Sequence, residues 1–560
     1  MFSNVICEII DENDSEDIDM QYCDQFNFSK VKSLLENVKL ESKKERRKFL
    51  KNIYPSIKNW EGQLPNLQEI FRPKEIECLL MDSVYSWSKE YKKLGEQFIR
   101  FVARTGYKDK PKVNKESKLL HRTTAVHHAY KWNAPFTVVH ELFKIYNRID
   151  VNYIDESGLS HFHVACAFDC EDIVRKSLEL GQDPNFPVQK TGYSPLHVAL
   201  FHKSKNVTEL LLRSGANPNV CDAHGWTALH YIRREHCQND LAEMLFKLSD
   251  KKYQPLQVNV RNNAGDTPLM LAFFAEGKKE VVEFMLKRGA DPNLANKDGS
   301  TPLHKICQGI EDDLAKSFFK INNDMQQIVD VDAQDKFGRT PLQWAVANLL
   351  TNTVDLLLDH GASLSNFAFL TESYFDKRWK PVAYKWSNRI EKLRLVSSTL
   401  AIIDRLEEKG FEMDSSVALS VMKVFGKLGL FKISADLDKC WYNGETFTST
   451  AKEIILSRDD PKLSLYDLIH LKPEEAAKLL TCKYHFELPS LHIYGELSLD
   501  VCTKHLCEKL LRGFSRCWTL HSFLELTHFR LPILCCEMII DTLTNADWFH
   551  ICLAAAGQNS

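Results

Sequence analysis

The chain has 560 residues, of which 44% are hydrophobic and 26% charged, a composition typical of soluble globular proteins and long enough for several domains. Its formal net charge of −3 disfavours a general binder of polyanions, and no apolar run reaches the ~18 residues that a membrane span needs. None of the 16 cysteines lies in a Cys-x-x-Cys pair and no His-Glu-x-x-His occurs. The spacing of a zinc site is therefore absent, and buried free thiols are expected rather than disulfides.

Residues 1–118 are rich in lysine and glutamate with helical periodicity, which predicts a helical N-terminal region or cap. The first residues, Met1–Asp14, are acidic before any apolar run, which does not fit a signal peptide. The basic run Lys43–Lys48 fits either a nuclear localisation patch or the solvated face of a helix. Charge runs favour the solvated face.

A tetrapeptide related to Thr-Pro-Leu-His recurs at nearly fixed spacing through the middle of the chain. Its seven copies begin at Thr124, Ser160, Ser194, Thr227, Thr267, Thr301 and Thr340. A glycine stands two residues before the Ser or Thr in six of them, at intervals of 34, 33, 40, 34 and 39 residues. A period in the thirties is typical of a stacked repeat array.

Each slot of the repeat has a physical reason. The glycine allows the positive φ of a tight turn, the Ser or Thr caps a helix, and proline fits the first helical position. A second amphipathic segment follows and ends at a glycine, as at Gly215 and within Gly181–Asn185 and Gly289–Asn293. Each repeat is therefore predicted to be a turn followed by two helices.

These features together closely resemble the ankyrin family over roughly Leu119–Ser365. The resemblance implies about seven helix pairs stacked into a curved solenoid, which binds protein partners through its turn tips and concave face. Met270 and Gln343 depart from the pattern in the histidine slot, and an insert at Ser249–Gln254 replaces one helix-ending glycine. Arg122 fills the glycine slot of the first copy, which marks it as an atypical capping repeat.

Two aromatic residues that follow turn glycines, Tyr193 and Trp226, are the candidate target-binding residues, because aromatic side chains often dominate binding energy. The alternative is that they only cover the neighbouring turn tip. The array histidines occupy one repeated slot, and stacked helices lie ~8–10 Å apart. Hydrogen bonds within each repeat therefore explain them better than shared metal ligation.

Residues 366–470 are predicted to form a helical linker region. The stretch Tyr374–Pro381 interleaves basic and aromatic residues, which can stack nucleic-acid bases. Because it is one short stretch in a slightly acidic chain, a packed linker is favoured. Helices are predicted at Leu400–Leu406, Val417–Leu428, Pro473–Leu480 and Ser498–Leu511.

The segment Leu531–Trp548 resembles the opening of an F-box. It has Leu-Pro, two apolar residues at the ninth and tenth positions, Leu at the thirteenth, Asp at the seventeenth and then a large apolar residue. Leu534 replaces the usual acidic residue, and only Phe549–Ser560 follow, so the last F-box helix is expected to be curtailed. Such an end behind ankyrin repeats, here residues 471–560, resembles PRANC, the C-terminal domain of poxvirus-type ankyrin-repeat proteins.

The PRANC resemblance implies docking on the adaptor subunit of a cullin–RING (SCF-type) ubiquitin ligase. It assigns adaptor binding to Leu531, Pro532, Ile539, Ile540, Leu543, Asp547 and Trp548. The aliphatic members are predicted to lie roughly on one helical stripe. Such a stripe fits either a partner's groove or the protein's own core.

The sequence thus predicts an all-α protein, an ankyrin-repeat solenoid flanked by an N-terminal helical region and a C-terminal helical F-box-like domain. The resemblance implies a non-catalytic receptor that binds a protein target and recruits the SCF-type adaptor and cullin; the alternative is a scaffold that sequesters a signalling protein. The chain has no glycine-rich phosphate loop and no Gly-x-Ser-x-Gly. No cofactor, metal, nucleic acid or membrane partner is expected, and the family suggests the cytoplasm, with the nucleus as the alternative.

Overall fold

A computed structural model describes residues 28–36, 38, 40–58, 60, 64–85, 89–111, 119–232, 238–249, 256–273, 278–365, 367, 369, 390–427, 429–431, 445–453, 464–471, 475 and 499–557. The chain divides into two compact units, Met1–Arg288 and Gly289–Ser560. The stretch Tyr374–Pro381 lies outside the described residues, as does the predicted helix Pro473–Leu480 apart from Glu475.

The first unit opens with helices, as the periodicity of residues 1–118 predicts. Residues 28–36 are helical, and they are followed by α1 (Lys43–Lys58), a 3-10 turn (Leu67–Glu69), α2 (Pro73–Val84) and α3 (Lys89–Arg104). Apolar side chains of these helices bury one another, with Phe49, Leu79 and Phe98 fully enclosed. These helices are therefore held together by buried apolar side chains.

Five helix pairs follow in the first unit. They are α4 (Ala125–Lys131) with α5 (Phe136–Ile145), α6 (His161–Ala167) with α7 (Glu171–Glu179), α8 (Pro195–Phe201) with α9 (Lys205–Arg213), α10 (Ala228–Tyr231) with α11 (Gln238–Ser249), and α12 (Pro268–Ala272) with α13 (Lys278–Lys287). The first helices of successive pairs pack on one another, and from α7 onward so do the second helices. The pairs therefore form the two helical layers of a solenoid.

Two short strands lie where the N-terminal region meets the first repeats. Strand β1 (Leu119–His121) pairs in parallel with β2 (Asn152–Ile154), with Leu119 opposite Asn152 and His121 opposite Ile154. The strands are the arms of successive turns, which run side by side because the repeats are stacked. They are the one sheet in the described part of the chain.

Helices α2 and α3 have the structure of a repeat, although their sequence lacks the repeat motif. Pro73 opens α2, and the carboxylate of Glu75 accepts the backbone N–H of Arg72 at 2.8 Å, as the histidine ring does in the repeats. Gly106 follows α3 with a φ of 74°, in the place of a helix-ending glycine. Since α2 packs on α4 and α3 packs on α5, this pair extends the two layers and caps the first repeat.

The second unit contains two more repeat pairs and a helical C-terminal part. The repeats are α14 (Pro302–Cys307) with α15 (Leu314–Asp324) and α16 (Pro341–Ala347) with α17 (Thr351–Asp359). The C-terminal helices are α18 (Ile390–Glu408), α19 (Ser415–Lys427), α20 (Glu445–Glu453), α21 (Leu465–His470), α22 (Leu499–Leu526), α23 (Ile533–Asp541) and α24 (Asn545–Ala555). The predicted helices at Leu400–Leu406 and Ser498–Leu511 correspond to parts of α18 and α22.

The long helix α22 organises the C-terminal part. It packs along α24 and α18, and α23 rests on it. Its residues Leu510 and Leu511 are fully buried and share a core with Val396, Met422 and Leu468. Helix α23 buries Cys536 and Ile540 where it rests on α22, and its other apolar side chains face outward.

Candidate protein-binding surfaces

The turn before each repeat is held by an Asp or Asn three residues ahead of the glycine. Asp222 is representative, since its Oδ1 accepts the backbone N–H groups of His224 at 2.7 Å and Trp226 at 2.8 Å. The equivalent residues are Asp155, Asn262, Asn296 and Asp335. An Asp or Asn stands at this position in five of the six copies that have the glycine. The repeat motif described from the sequence did not include it.

Successive turn tips are joined by backbone hydrogen bonds, and the turn glycines permit this close approach. Lys336 donates its N–H to the carbonyl of Asp298 at 2.8 Å, and Ala223 donates to Thr191 at 2.9 Å. A Cβ on Gly299 would lie 2.8 Å from the amide nitrogen of Lys336. The glycine is therefore needed for spacing as well as for its φ of 73°.

We expect Gly299→Ala to destabilise the second unit more than Gly338→Ala. Both glycines have a φ near 70°, which costs alanine roughly 1–2 kcal/mol. Of the two, only Gly299 faces a following turn in the described part of the chain, where nothing lies within 4 Å of a Cβ placed on Gly338. The clash should add at least about 1 kcal/mol. Urea unfolding of the two variants checks this, and equal losses would contradict it.

The repeated histidines connect neighbouring repeats. The Nδ1 of His304 accepts the backbone N–H of Thr301 at 3.1 Å, while its Nε2 lies 2.9 Å from the carbonyl oxygen of Arg339 in the next turn. His163 and His230 make the same pair of bonds. The prediction that hydrogen bonds within each repeat explain the histidines is therefore incomplete, because the rings also bond to the next turn. Because Nδ1 accepts, the ring is neutral and Nε2 donates.

Burial of the histidine rings opposes their protonation. Desolvation lowers the pKa of His163, His197 and His230 to about 4. The pKa of His304 is lowered for the same reason. Among the residues that the structure describes, no group of three His, Cys, Asp or Glu side chains could hold a metal ion.

The two predicted target-binding residues belong to one aromatic cluster. Tyr193 and Trp226 are half-buried, and both rings meet the ring of Tyr231 edge-on, at 6.2 and 5.3 Å between centroids. Tyr231 is buried and donates its hydroxyl to Asp222 at 2.6 Å. The repeat fold therefore brings the two residues together, and their role in target binding stays a prediction.

A second aromatic turn lies in the second unit and was missed by the sequence reasoning. The guanidinium of Arg339 sits between the rings of Phe337 and Trp344, at 4.4 and 4.3 Å, and also binds Asp335 at 2.8 Å. The exposed ring of Phe337 stands at the turn tip. Phe337 directly before the glycine at 338, together with Trp344 after the cap, is the signal that could have found it.

The predicted adaptor-binding residues are divided between the surface and the core. Leu531, Pro532 and Ile539 are exposed, Leu543 is half-buried, and Ile540 and Trp548 are fully buried. Leu531 and Leu543 lie outside α23, and of the adjacent Ile539 and Ile540 the first is exposed and the second is buried. The prediction of one shared helical stripe is therefore wrong, because the helix is shorter than the stripe requires.

Two of these residues have structural partners inside the unit. The indole Nε1 of Trp548 donates to the carbonyl of Ile540 at 2.7 Å, and the guanidinium of Arg512 lies 4.4 Å from the indole ring. The carboxylate of Asp547 accepts the N–H and the hydroxyl of Thr544 at 2.9 and 2.6 Å, which caps α24. These contacts fix α24 beside α23.

Exposed apolar side chains of α23, together with Leu531 just before the helix, form the C-terminal apolar surface. It consists of Leu531, Ile533, Leu534, Met538 and Ile539. Ile533, Leu534 and Met538 are the most exposed, at 54%, 69% and 73%, and sequence reasoning did not select them. Grouped exposure of this kind marks an interaction site, whereas single exposed apolar residues are ordinary.

Comparison with known proteins agrees with the repeat architecture. Residues 126–368 match the family described as "Ankyrin repeats (3 copies)" in four overlapping segments, 126–221, 162–256, 196–296 and 269–368. The chain therefore contains ankyrin repeats, as its sequence predicts, and such repeats bind other proteins. No helix among the described residues is long and apolar enough to cross a membrane.

Several proteins are similar over the repeats. The putative ankyrin repeat protein FPV230 of Fowlpox virus (strain NVSL) is 28% identical over 25% of this chain and 88% of its own length. The B-cell lymphoma 3 protein homolog of Mus musculus is 29% identical over 38% of this chain, and the ANK repeat-containing protein nipk-1 of Caenorhabditis elegans is 28% identical over 29%. This chain spans 39% and 29% of those two proteins.

A solved structure is also similar. The crystal structure of the ankyrin repeat domain of Bcl-3, described as a unique member of the IkappaB protein family, is 25% identical, with a TM-score of 0.32. The match covers 38% of this chain and 90% of the Bcl-3 chain.

Proposed function

We propose that the protein is a substrate receptor, which holds a protein target on its ankyrin repeats and docks on the adaptor of a cullin–RING (SCF-type) ubiquitin ligase. The adaptor contact is assigned to the C-terminal apolar surface. The observation that carries this proposal is the exposure of four apolar side chains of α23, and of Leu531 just before it, beside a well-packed core. The F-box-like sequence of Leu531–Trp548 supplies the identity of the partner.

In this proposal the protein catalyses no reaction itself and only positions the target. A ligase transfers ubiquitin faster when the acceptor lysine is held near the charged conjugating enzyme, which raises its effective concentration. The buried Trp548 and Ile540 serve this function indirectly, because they fix α23 against α24 and so orient the exposed residues. Tyr193 and Trp226 remain the proposed contacts for the target.

We expect Ile533→Glu to weaken binding of the full chain to the purified adaptor at least tenfold, because a charge would enter an apolar interface and lose its water. Leu534→Glu should have a similar effect, since Leu534 is still more exposed. Titration of labelled adaptor with each variant measures the change in Kd.

The matched control is Ile328→Glu. Ile328 is 87% exposed and lies in the repeat region of the same unit. Its replacement by glutamate therefore changes charge and hydrophobicity in the same way as Ile533→Glu, but away from α23. It should leave adaptor binding within twofold of the wild type. Equal weakening by Ile328→Glu and Ile533→Glu would contradict a specific role for the C-terminal apolar surface.

Sequestration of a signalling protein without ubiquitin transfer is the second candidate function. The extent of the family match favours it, since sequestration needs only the repeats and the match covers residues 126–368. If the wild-type chain fails to bind the purified adaptor while retaining a target that Tyr193→Ala with Trp226→Ala releases, sequestration replaces the receptor proposal.

A further inference from the structure

A basic run begins helix α1 at the end where the helix dipole is already positive. Five of the six residues in Lys43–Lys48 are basic, and only Glu45 is acidic. Cations at a helix N-terminus are unfavourable, and the same position attracts anions. The run therefore concentrates positive potential at one place on a chain whose net charge is negative.

Side chains of this run lie over an aromatic pair. Lys43 Nζ is 4.5 Å and Arg47 Cζ is 5.4 Å from the ring centroid of Tyr85. The ring of Tyr85 meets that of Trp132 edge-on at 4.2 Å, and Lys131 Nζ lies 5.9 Å from the Trp132 ring. Cations from α1 and α4 thus converge on the two rings, and Trp132 is 41% exposed.

A carboxylate of the neighbouring helix α2 is already engaged by this run. Asp82 is almost buried and binds Arg46 at 2.6 Å. Within the described residues, no ion pair joins Lys43 or Lys131 to a carboxylate. The pKa of His128 is lowered first by burial and then by the charges of Lys131 and Lys43, while Asp82 opposes this shift.

We propose that Lys43, Arg47, Tyr85, Lys131 and Trp132 form a docking surface for an acidic peptide segment of a partner protein. The ammonium groups of Lys43 and Lys131 would face carboxylates on either side of an apolar residue, which would lie against the exposed edge of Trp132. Charge complementarity argues for this partner. The proposal is independent of the receptor function above, because none of these residues belongs to the C-terminal apolar surface or to the aromatic turns.

The arrangement of cations and aromatic rings on this surface favours a peptide over a nucleic acid. Binding of a single strand uses a basic groove that follows many phosphates, with aromatic rings presented face-on to the bases. Here the cations surround a single aromatic pair, and the ring of Tyr85 is covered by Lys43 and Arg47. An acidic segment with one apolar side chain matches this arrangement more closely.

The test uses the full chain and a fluorescein-labelled peptide with glutamates on both sides of one phenylalanine. Fluorescence anisotropy at low ionic strength measures its Kd for the wild type and two variants. Lys43→Glu should weaken binding about tenfold, because it reverses a charge that faces the peptide. Lys44→Glu makes the same change in net charge one residue away. It should weaken binding less than about twofold, because only the screened long-range attraction for the peptide is reduced.

Three further results would overturn the proposal. Equal weakening by Lys43→Glu and Lys44→Glu would mean that only net charge matters. Equal binding of a peptide with glutamine in place of glutamate would remove the electrostatic basis. Tighter binding of an oligothymidylate of equal charge, lost in Lys43→Glu, would identify a nucleic-acid surface instead. Thermal unfolding of both variants must match the wild type, and Lys43→Gln serves as a milder replacement if Lys43→Glu unfolds.

Discussion

The free energy of unfolding is expected to fall by several kcal/mol when the pH is lowered from 7 to 5. The cause is the set of buried array histidines, of which His163, His197 and His230 have a pKa of about 4 in the folded protein. In the unfolded chain a histidine titrates near 6.5. Each ring accepts a backbone N–H at Nδ1, so a proton cannot be added there without breaking the cap.

The direction of the effect follows from which state binds more protons. Between pH 6.5 and 4 the unfolded chain is protonated at these positions and the folded chain is not, so stability falls as the pH falls through that window. Each histidine contributes about 1.4 kcal/mol per pH unit, and three together give at most about 6 kcal/mol between pH 6.5 and 5. Asp155 and Asp335, with lowered pKa values, act only below about pH 4.

Urea unfolding at pH 7.5, 6 and 5 measures this loss, and the chain itself supplies the control substitution. Gln343 occupies the histidine slot of the last repeat, and its Oε1 accepts the N–H of Thr340 at 2.9 Å. A variant with glutamine at positions 163, 197 and 230 should keep the caps and remove the titration. Its stability should vary less between pH 7.5 and 5, and the slope that remains should come from His127 and His161, whose pKa values burial also lowers. An unchanged slope would place the acid sensitivity in other groups.

The repeat fold could be predicted from the sequence because each residue of the repeat motif meets a local structural requirement. Glycine at 299, threonine at 301 and proline at 302 are demanded by a turn, a cap and a first helical position. The role of Asp335 could not be predicted as readily. It depends on contacts with Arg339 and Trp344 that form only when the turn closes.

The additional helix pair at the N-terminal end was missed for a similar reason. Residues Arg72-Pro73-Lys74-Glu75 share only the proline with Thr-Pro-Leu-His, yet Glu75 accepts the N-cap N–H as histidine does. A carboxylate oxygen and an imidazole nitrogen are equivalent acceptors for that bond. Pattern matching by residue type does not detect this equivalence, whereas the hydrogen bonds do.

The C-terminal segment shows where periodicity gives too little information. Ile533, Leu534, Met538, Ile539 and Ile540 make α23 apolar on every side. Only the position of α22 and α24 decides that Ile540 is buried and Ile539 exposed. Sequence reasoning therefore located the segment, and tertiary packing determined which residues could meet a partner.

Arg122→Met is expected to separate the N-terminal region from the first repeat and to destabilise the first unit by roughly 3 kcal/mol. Arg122 stands in the glycine slot of the first copy, where its guanidinium binds Asp109 at 3.1 Å and also Glu77 of α2. Glu77 accepts the hydroxyl of Tyr146 at 2.7 Å as well, so one charge links three elements. Removing the arginine leaves two nearly buried carboxylates without their cation.

The pH dependence of this variant separates the buried charges from simple loss of packing. Burial already raises the pKa of Glu77, and Arg122 opposes that rise. Without Arg122 the folded pKa of Glu77 should rise further above its unfolded value, and such a group loses stability as the pH rises through the folded pKa. The destabilisation by Arg122→Met, measured by urea unfolding, should therefore be larger at pH 8 than at pH 5.5.

The matched control is Arg148→Met, which removes an arginine of the same unit. Arg148 binds Asp150 at 2.7 Å, but both side chains are about half exposed, so the pair should contribute less than about 1 kcal/mol. Hydrogen exchange adds a local readout. The β1 amides should lose protection in Arg122→Met and keep it in Arg148→Met. Equal effects of the two substitutions on stability and on β1 would show that the Arg122 cluster does not join the cap to the array.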